Sequence, residues 1–367
     1  MQYNWQQKDW PNFKYSTNEV EKNLYAFSER AGRLSGAMEV LPEELQFESI
    51  VDLLVAEALK TSEIEGEYLS RKDIMSSIRN NLGLNIKRVQ VKDQRVQGIS
   101  QMMVDAQKNF QKPLSKRVLF NWHTMLMKGS SGLNAGAWRE HSEPMQVISG
   151  AMGREIVHYE APPSSKVPNA MAQFIDWFNN TSPGSNEEIK QPVIRAALAH
   201  LYFESIHPFE DGNGRIGRAI SEKALSQYLY RPVLLSLSQA IEAKKKDYYQ
   251  ALKTAQRSNE ITPWINYFVK TTLEAQLDAE QLINFSVKKA KFFDRFEGKF
   301  NERQLKTIKR MLEEGHQGFE GGMNARKYIS LNKTSKSTAT RDLQDLLDMG
   351  AFIKKGGGRS TSYELNL

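Results

Sequence analysis

Cysteine is absent from the 367 residues. With it go disulfides, thiol nucleophiles and zinc held by thiolates. Such a chain suits a reducing compartment, and a cytoplasmic location is expected. No run of about 18 apolar residues occurs, so a membrane span is not expected. The opening MQYNWQQKDWPNF lacks a basic segment followed by an apolar one, so it does not read as a secretory signal. Long repeats and low-complexity tracts are missing, and strand-like alternation is scarce. Apolar residues make up 40% of the chain, an ordinary share that suits packed domains rather than disorder. The net charge of +7 allows a nucleotide or nucleic-acid partner, but a solvated lysine surface produces the same number.

Helical periodicity dominates what is present. Pro42-Glu43-Glu44 reads as a helix start, with proline and acids in the first turn. Phe47, Ile50, Val51, Leu54, Val55 and Ala58 follow at helical spacing, and Gly66 is a plausible stop. Further helices are predicted over about 70–80, 88–110, 114–128, 167–180, 191–206, 214–229, 239–257 and 261–295. One hairpin is predicted, with strands Met145–Ser149 and Glu155–Tyr159 and a turn across Gly150 to Gly153. The fold class is therefore mainly α, an all-α core carrying one small hairpin. Residues 298–367 differ. Helices near 302–314, 325–329 and 335–347 precede strand candidates at 349–353 and 361–365, which reads as a winged-helix module. Thirteen Lys and Arg there stand against eight Asp and Glu, so most of the excess positive charge lies in this part. The expected domains are 1–88, 89–295 and 298–367.

The segment His207-Pro-Phe-Glu-Asp-Gly-Asn-Gly-Arg-Ile-Gly-Arg218 lies between two helical stretches. Gly212 and Gly214 around Asn213 favour turns with positive φ, whose amides can form an anion-binding nest. The following helix adds its N-terminal dipole. Arg215 and Arg218 share a helix face and could clamp phosphate oxygens. Asp211 offers a hard oxygen ligand for Mg²⁺, and His207 is a base near neutral pH. A lone histidine is usually structural. All these features within twelve positions point instead to phosphoryl-type chemistry. Gly212 to Gly217 also spells G-x-G-x-x-G, but a helix precedes it where the dinucleotide fingerprint needs a strand.

The twelve residues resemble the signature of the Fic family, H-x-F-x-[DE]-G-N-G-R-x-x-R, at every fixed position. The resemblance implies an all-α Fic fold over about residues 90–290 and protein adenylyltransferase activity, the transfer of AMP from ATP to a Ser, Thr or Tyr hydroxyl. It implies that His207 deprotonates the acceptor hydroxyl and that Asp211 holds Mg²⁺. Gly212, Asn213 and Gly214 would cradle the phosphates, Arg215 and Arg218 would bind them, and Ile216 and Gly217 fall within the same segment. Phe209 resembles the buried aromatic that anchors the loop. The hairpin resembles the flap on which a target peptide docks as an added strand, with Ile156, Val157, His158 and Tyr159 along it. Asn134-Ala-Gly-Ala-Trp-Arg139 resembles the approach to that flap. Tyr248 and Tyr249 fall where an aromatic lies against adenine, and Gln256 where many members carry Asn.

Thr61-Ser-Glu-Ile-Glu65-Gly66 resembles the family's inhibitory pattern [ST]-x-x-x-E-[GN]. One turn separates Thr61 from Glu65, so both lie on one face, and Glu65 is expected to pair with Arg218 in place of the γ-phosphate. Removal of AMP by the same site is a further expectation. Residues 1–85 resemble the region often joined N-terminal to such cores, with Tyr3, Trp5, Trp10 and Phe13 expected to dock it. Two other readings stay open: a regulator whose winged helix binds DNA or protein while the Fic domain senses nucleotide, and an enzyme with a donor other than ATP. The sequence names no target, and a homodimer is left open.

Overall fold

In a computed structural model, residues 2–149, 156–314 and 318–367 are described. Among them are fourteen α-helices and two antiparallel hairpins, and they divide into two compact units. The first comprises Met1–Gly32 and Ile50–Leu277, the second Arg33–Ser49 and Asp278–Leu367. No helix among the described residues is long and apolar enough to cross a membrane.

The helices run α1 Glu21–Glu39, α2 Glu43–Ile64, α3 Arg71–Leu82, α4 Gln94–Lys108 and α5 Lys116–Leu126, then strands β1 Gln146–Ser149 and β2 Ile156–Glu160. There follow α6 Val167–Asn180, α7 Pro192–Ile206, α8 Asn213–Leu229, α9 Leu237–Ala243, α10 Lys245–Ala255 and α11 Thr262–Arg295. Helix α1 escapes the periodicity reading, because Gly32, Gly36 and several polar residues dilute its pattern. Its buried face, Phe27, Ala31, Leu34 and Met38, nevertheless repeats at helical spacing. The helix expected over 239–257 is two helices, broken at Lys244, whose φ of −131° leaves the helical region. The stretch expected from 88 begins at Gln94, where Asp93 accepts the Arg95 N–H as an N-cap.

Helix α7 is buried along its whole length. Helix α8 packs against it, with Ser221 Oγ donating to Ala196 O (3.5 Å). The buried Arg195 of α7 is partnered, as burial demands: it donates to Phe178 O (2.7 Å) and Gln227 Oε1 (3.0 Å). The β1–β2 hairpin pairs Gln146 with Glu160 and Val147 with Tyr159, then shifts register at a bulge. Its expected turn, Gly150 to Gly153, lies outside the described residues, as does Glu155.

In the second unit, α12 Glu302–Leu312, α13 Ala325–Asn332 and α14 Lys336–Asp348 precede β3 Phe352–Lys355 and β4 Ser362–Leu365. Asn301 and Gln304 form a reciprocal capping box on α12, and Ser335 caps α14 through the Thr338 N–H. The unit has its own core, including Phe292, Ile308, Met311, Leu343, Leu346 and Phe352. Inside it, buried Asp342 accepts from Arg303 (2.8 Å) and the Tyr328 hydroxyl (2.9 Å).

Candidate active site

The site is the loop from α7 to α8. Helix α7 ends at Ile206, and His207 takes a left-handed conformation, φ 51° and ψ 61°. A non-glycine residue is uncommon there and is held only by surrounding structure. Buried Arg139 does much of that holding. It donates to His207 O (2.7 Å), Ile206 O (3.2 Å), Pro162 O (2.6 Å) and Ser164 Oγ (2.9 Å). Phe209 is buried as expected, stacked 4.1 Å from His123 and tilted against Trp138 at 5.0 Å. Asn213 then closes the loop twice: the Phe209 N–H donates to Oδ1 and Nδ2 donates to Phe209 O, both at 2.9 Å. Gly212 has φ 81°, and a Cβ there would lie 2.8 Å from Leu126. Helix α8 starts at Asn213 with no side-chain cap, so its first amides face the loop's concavity. In Asn213→Ala both bonds to Phe209 are lost. We expect a stability loss of about 2–3 kcal/mol in urea unfolding, because a buried amide and carbonyl are orphaned. A loss below about 0.5 kcal/mol would contradict this role.

Both loop arginines are already engaged. Arg218, fully buried, donates through Nε to Thr61 Oγ1 (2.8 Å) and through Nη2 to Thr61 O (3.0 Å) and Glu65 Oε1 (2.7 Å). Burial opposes its charge, but the Glu65 carboxylate outweighs that and raises its pKa. Gly66, at φ 84°, turns the chain so that Glu67 also comes back to the loop. There Glu67 Oε2 lies 2.7 Å from Arg215 Nη1. Glu67 was not anticipated from sequence, where the only sign of it is a second acid just beyond the glycine stop. Arg215 also reaches Asp211 Oδ2 (3.2 Å). Two guanidinium nitrogens, Arg218 Nη1 and Arg215 Nε, are buried without a hydrogen-bond partner. A Cβ on Gly214 would stand 2.3 Å from Glu65 Oε1 and 3.0 Å from Arg218 Nη1. These contacts fill the concavity where an anion would sit.

Burial lowers the pKa of His207 to about 4, with nearby Arg139 adding to the effect. Its Nδ1 lies 3.7 Å from Glu204 Oε2. Burial raises Glu204 to about 8. Asp211 is 53% exposed and accepts the Gly212 N–H at 2.6 Å.

The other predicted residues separate into two groups. Ile216 and Gly217 are buried in α8, and a Cβ on Gly217 would meet Glu204 Oε1 at 2.6 Å. Tyr248 is buried with its hydroxyl 2.8 Å from His200 Nε2, whereas Tyr249 is 40% exposed and bonds Ile64 O at 3.3 Å. Gln256 is buried and donates to Glu204 O at 3.3 Å. On the hairpin Val157 is exposed, Tyr159 is buried against Ser205 O, and the described part of Ile156 is its backbone. No group of three or more His, Asp or Glu that could hold a metal occurs among the described residues. Mg²⁺ needs no such group, since it binds through one or two carboxylates and substrate phosphates. Asp211, with its carboxylate 53% exposed at the loop, is one such carboxylate.

The candidate site is thus a glycine-rich loop with a histidine at its entrance, set between two helices of a mainly α unit. Residues 113–225 match the model of the Fic/DOC family, and residues 3–84 match a domain of unknown function (DUF4172). The chain carries a Fic domain. A protein adenylyltransferase Fic from Nematostella vectensis is 30% identical over 140 residues, which is 38% of this chain and 30% of that protein. One from Drosophila willistoni is 36% identical over 108 residues, 29% of this chain and 20% of that protein. The matched stretches thus span less than a third of these relatives. In structure, a Fic family protein from Desulfovibrio desulfuricans G20 superposes with a TM-score of 0.56 at 20% identity, covering 97% of this chain and 98% of that one. Fic-1 from C. elegans gives 0.50 at 21% identity over 74% of each chain. At these identities the likeness concerns the fold.

Proposed function

We propose that this chain transfers AMP from ATP to a hydroxyl of a protein, and that Glu65 restrains it at rest. The observation that carries the reading is the His207 imidazole, 14% exposed, at the mouth of an uncapped helix N-terminus flanked by Arg215 and Arg218. The His207 ring would take the proton of the acceptor hydroxyl. That oxygen would then attack the α-phosphorus as the bond to the β-phosphate breaks, and pyrophosphate would leave. The α8 amides, Asn213, Gly214 and the arginines would bind the phosphates once Glu65 and Glu67 withdraw. Asp211 would hold Mg²⁺, which when bound supplies counter-charge to the phosphates. The exposed Tyr249 is better placed than Tyr248 to meet adenine, since the Tyr248 hydroxyl is committed to His200. An extended acceptor segment would add a strand to the hairpin, where Val157 faces outward. With Glu65 in place the same site would also suit hydrolysis of a protein–AMP bond.

A second reading concerns residues 298–367. Three helices followed by a hairpin, with Lys336, Thr340 and Arg341 exposed on α14 and Lys354 and Lys355 exposed on β3, suit a winged helix lying against a duplex backbone. One experiment separates the readings. The full chain with Glu65→Gly is incubated with an extract and with ATP labelled at the α- or the γ-phosphate. AMP transfer puts the α label on protein, γ label would indicate a kinase, and a nucleotide-sensing DNA binder transfers neither.

A further inference from the structure

The first residues of the chain have no role in the reading above, yet three in succession touch three different parts of the site. Tyr3 sets its ring edge-on to Tyr159 of β2, with centroids 5.1 Å apart, and the Arg257 guanidinium lies over its other surface at 3.9 Å. Asn4 is fully buried. Its Nδ2 donates to Ser205 Oγ (2.8 Å), two residues before His207, and its N–H donates to Gln256 O (2.9 Å) at the end of α10. Trp5 donates its indole N–H to Glu160 O (2.9 Å), the last residue of β2, while Lys166 Nζ lies 5.9 Å above its ring. The contacted parts are also tied to one another. The Tyr159 hydroxyl donates to Ser205 O, Gln256 donates to Glu204 O (3.3 Å), and Arg257 donates to His158 O (3.5 Å).

Hairpins of two short strands are marginal by themselves. This one has four-residue pairing broken by a bulge, so its angle to the catalytic loop must be fixed from outside. Arg139 fixes the segment just after it, at Pro162 and Ser164. Residues 3–5 fix β2 itself, and do so from the same helix end that presents His207.

We infer that Tyr3, Asn4 and Trp5 form a strut that sets the flap strand β2 in register with His207, and so position the acceptor segment. The acceptor part of this inference rests on the proposed transferase activity. The strut lies at the start of the region matching the domain of unknown function, while Glu65 and Glu67 lie towards its end. That region thus bears on the catalytic loop at two places, one aligning the acceptor side and the other occupying the phosphate side.

The test uses Asn4→Ala and Trp5→Phe in the full-length chain carrying Glu65→Gly. Trp5→Phe keeps an aromatic ring but removes the N–H donor together with part of the indole. Amide deuterium uptake across residues 146–160 is expected to quicken about threefold or more in both variants, while α5 is unchanged. KM for the acceptor protein is expected to rise about five- to tenfold, with Kd for ATP held within about twofold. Unchanged uptake in the hairpin would overturn the strut, as would a loss of ATP affinity in step with the rise in KM, which marks general destabilisation. Faster hairpin uptake with no AMP transfer even in the Glu65→Gly parent would support the strut and count against the proposed activity.

Discussion

Glu65→Gly is expected to raise AMP transfer to protein about ten- to a hundredfold, read as initial incorporation of α-labelled ATP. Arg218 is fully buried and spends three hydrogen bonds on Thr61 and Glu65, and Glu65 is only 29% exposed. A hydrogen bond to a charged group contributes about 1.5–3 kcal/mol, which converts to one to two decades in the open fraction. Surface screening does not erase such a pair, because one partner has no contact with water. Glu67→Gln is expected to do less alone, about two- to threefold, since Arg215 keeps Asp211 as a partner. In the double variant the two gains should multiply, because each substitution frees a different guanidinium. Equal rates for the unaltered chain and Glu65→Gly would sink the autoinhibited reading.

His207→Ala is expected to lower transfer by about 10²- to 10⁴-fold, the usual worth of a positioned base, while ATP affinity measured by calorimetry stays near that of the parent. The imidazole binds no phosphate in this scheme, so the loss belongs in kcat. The pH profile gives an independent check. Burial depresses His207 to about 4, so the ring is unprotonated, and competent as a base, from neutral pH down to about 5. The acid limb of kcat should therefore lie well below the ordinary histidine value of 6.5. An acid limb centred at 6.5 or above would contradict that lowered value.

Much of this site was legible beforehand because its chemistry is local. Helix α8, the glycine-rich loop and His207 are contiguous, and a twelve-residue pattern carries them. Thr61 and Glu65 were legible at a distance only through a short motif, and the structure brings them to Arg218 from the end of α2. Glu67 was missed because its partner is fixed by the turn at Gly66, and turn direction leaves almost no trace in composition. Trp5 was expected to dock its segment onto the core, but the role of Asn4 was missed for a similar reason. A buried asparagine near a chain terminus looks like any other polar residue until its partners 200 positions later are known. Tyr248 and Tyr249 show the limit of neighbour-level reading. One residue apart on a helix is about 100° of rotation, enough to send one ring inward to His200 and leave the other open.

Gly214 adds something to the relation between Glu65 and the nucleotide. No side chain fits at that position while Glu65 is seated, and the same bare backbone is what a phosphate would approach. The carboxylate therefore behaves as a tethered competitor for one volume. Its occupancy cannot be diluted away, because the tether fixes its local concentration whatever the concentration of protein. The measured dissociation constant for productively bound ATP should accordingly equal the intrinsic one divided by the fraction of molecules in which Glu65 is displaced. Any event that lifts α2 would then register as tighter nucleotide binding before it registers as faster chemistry.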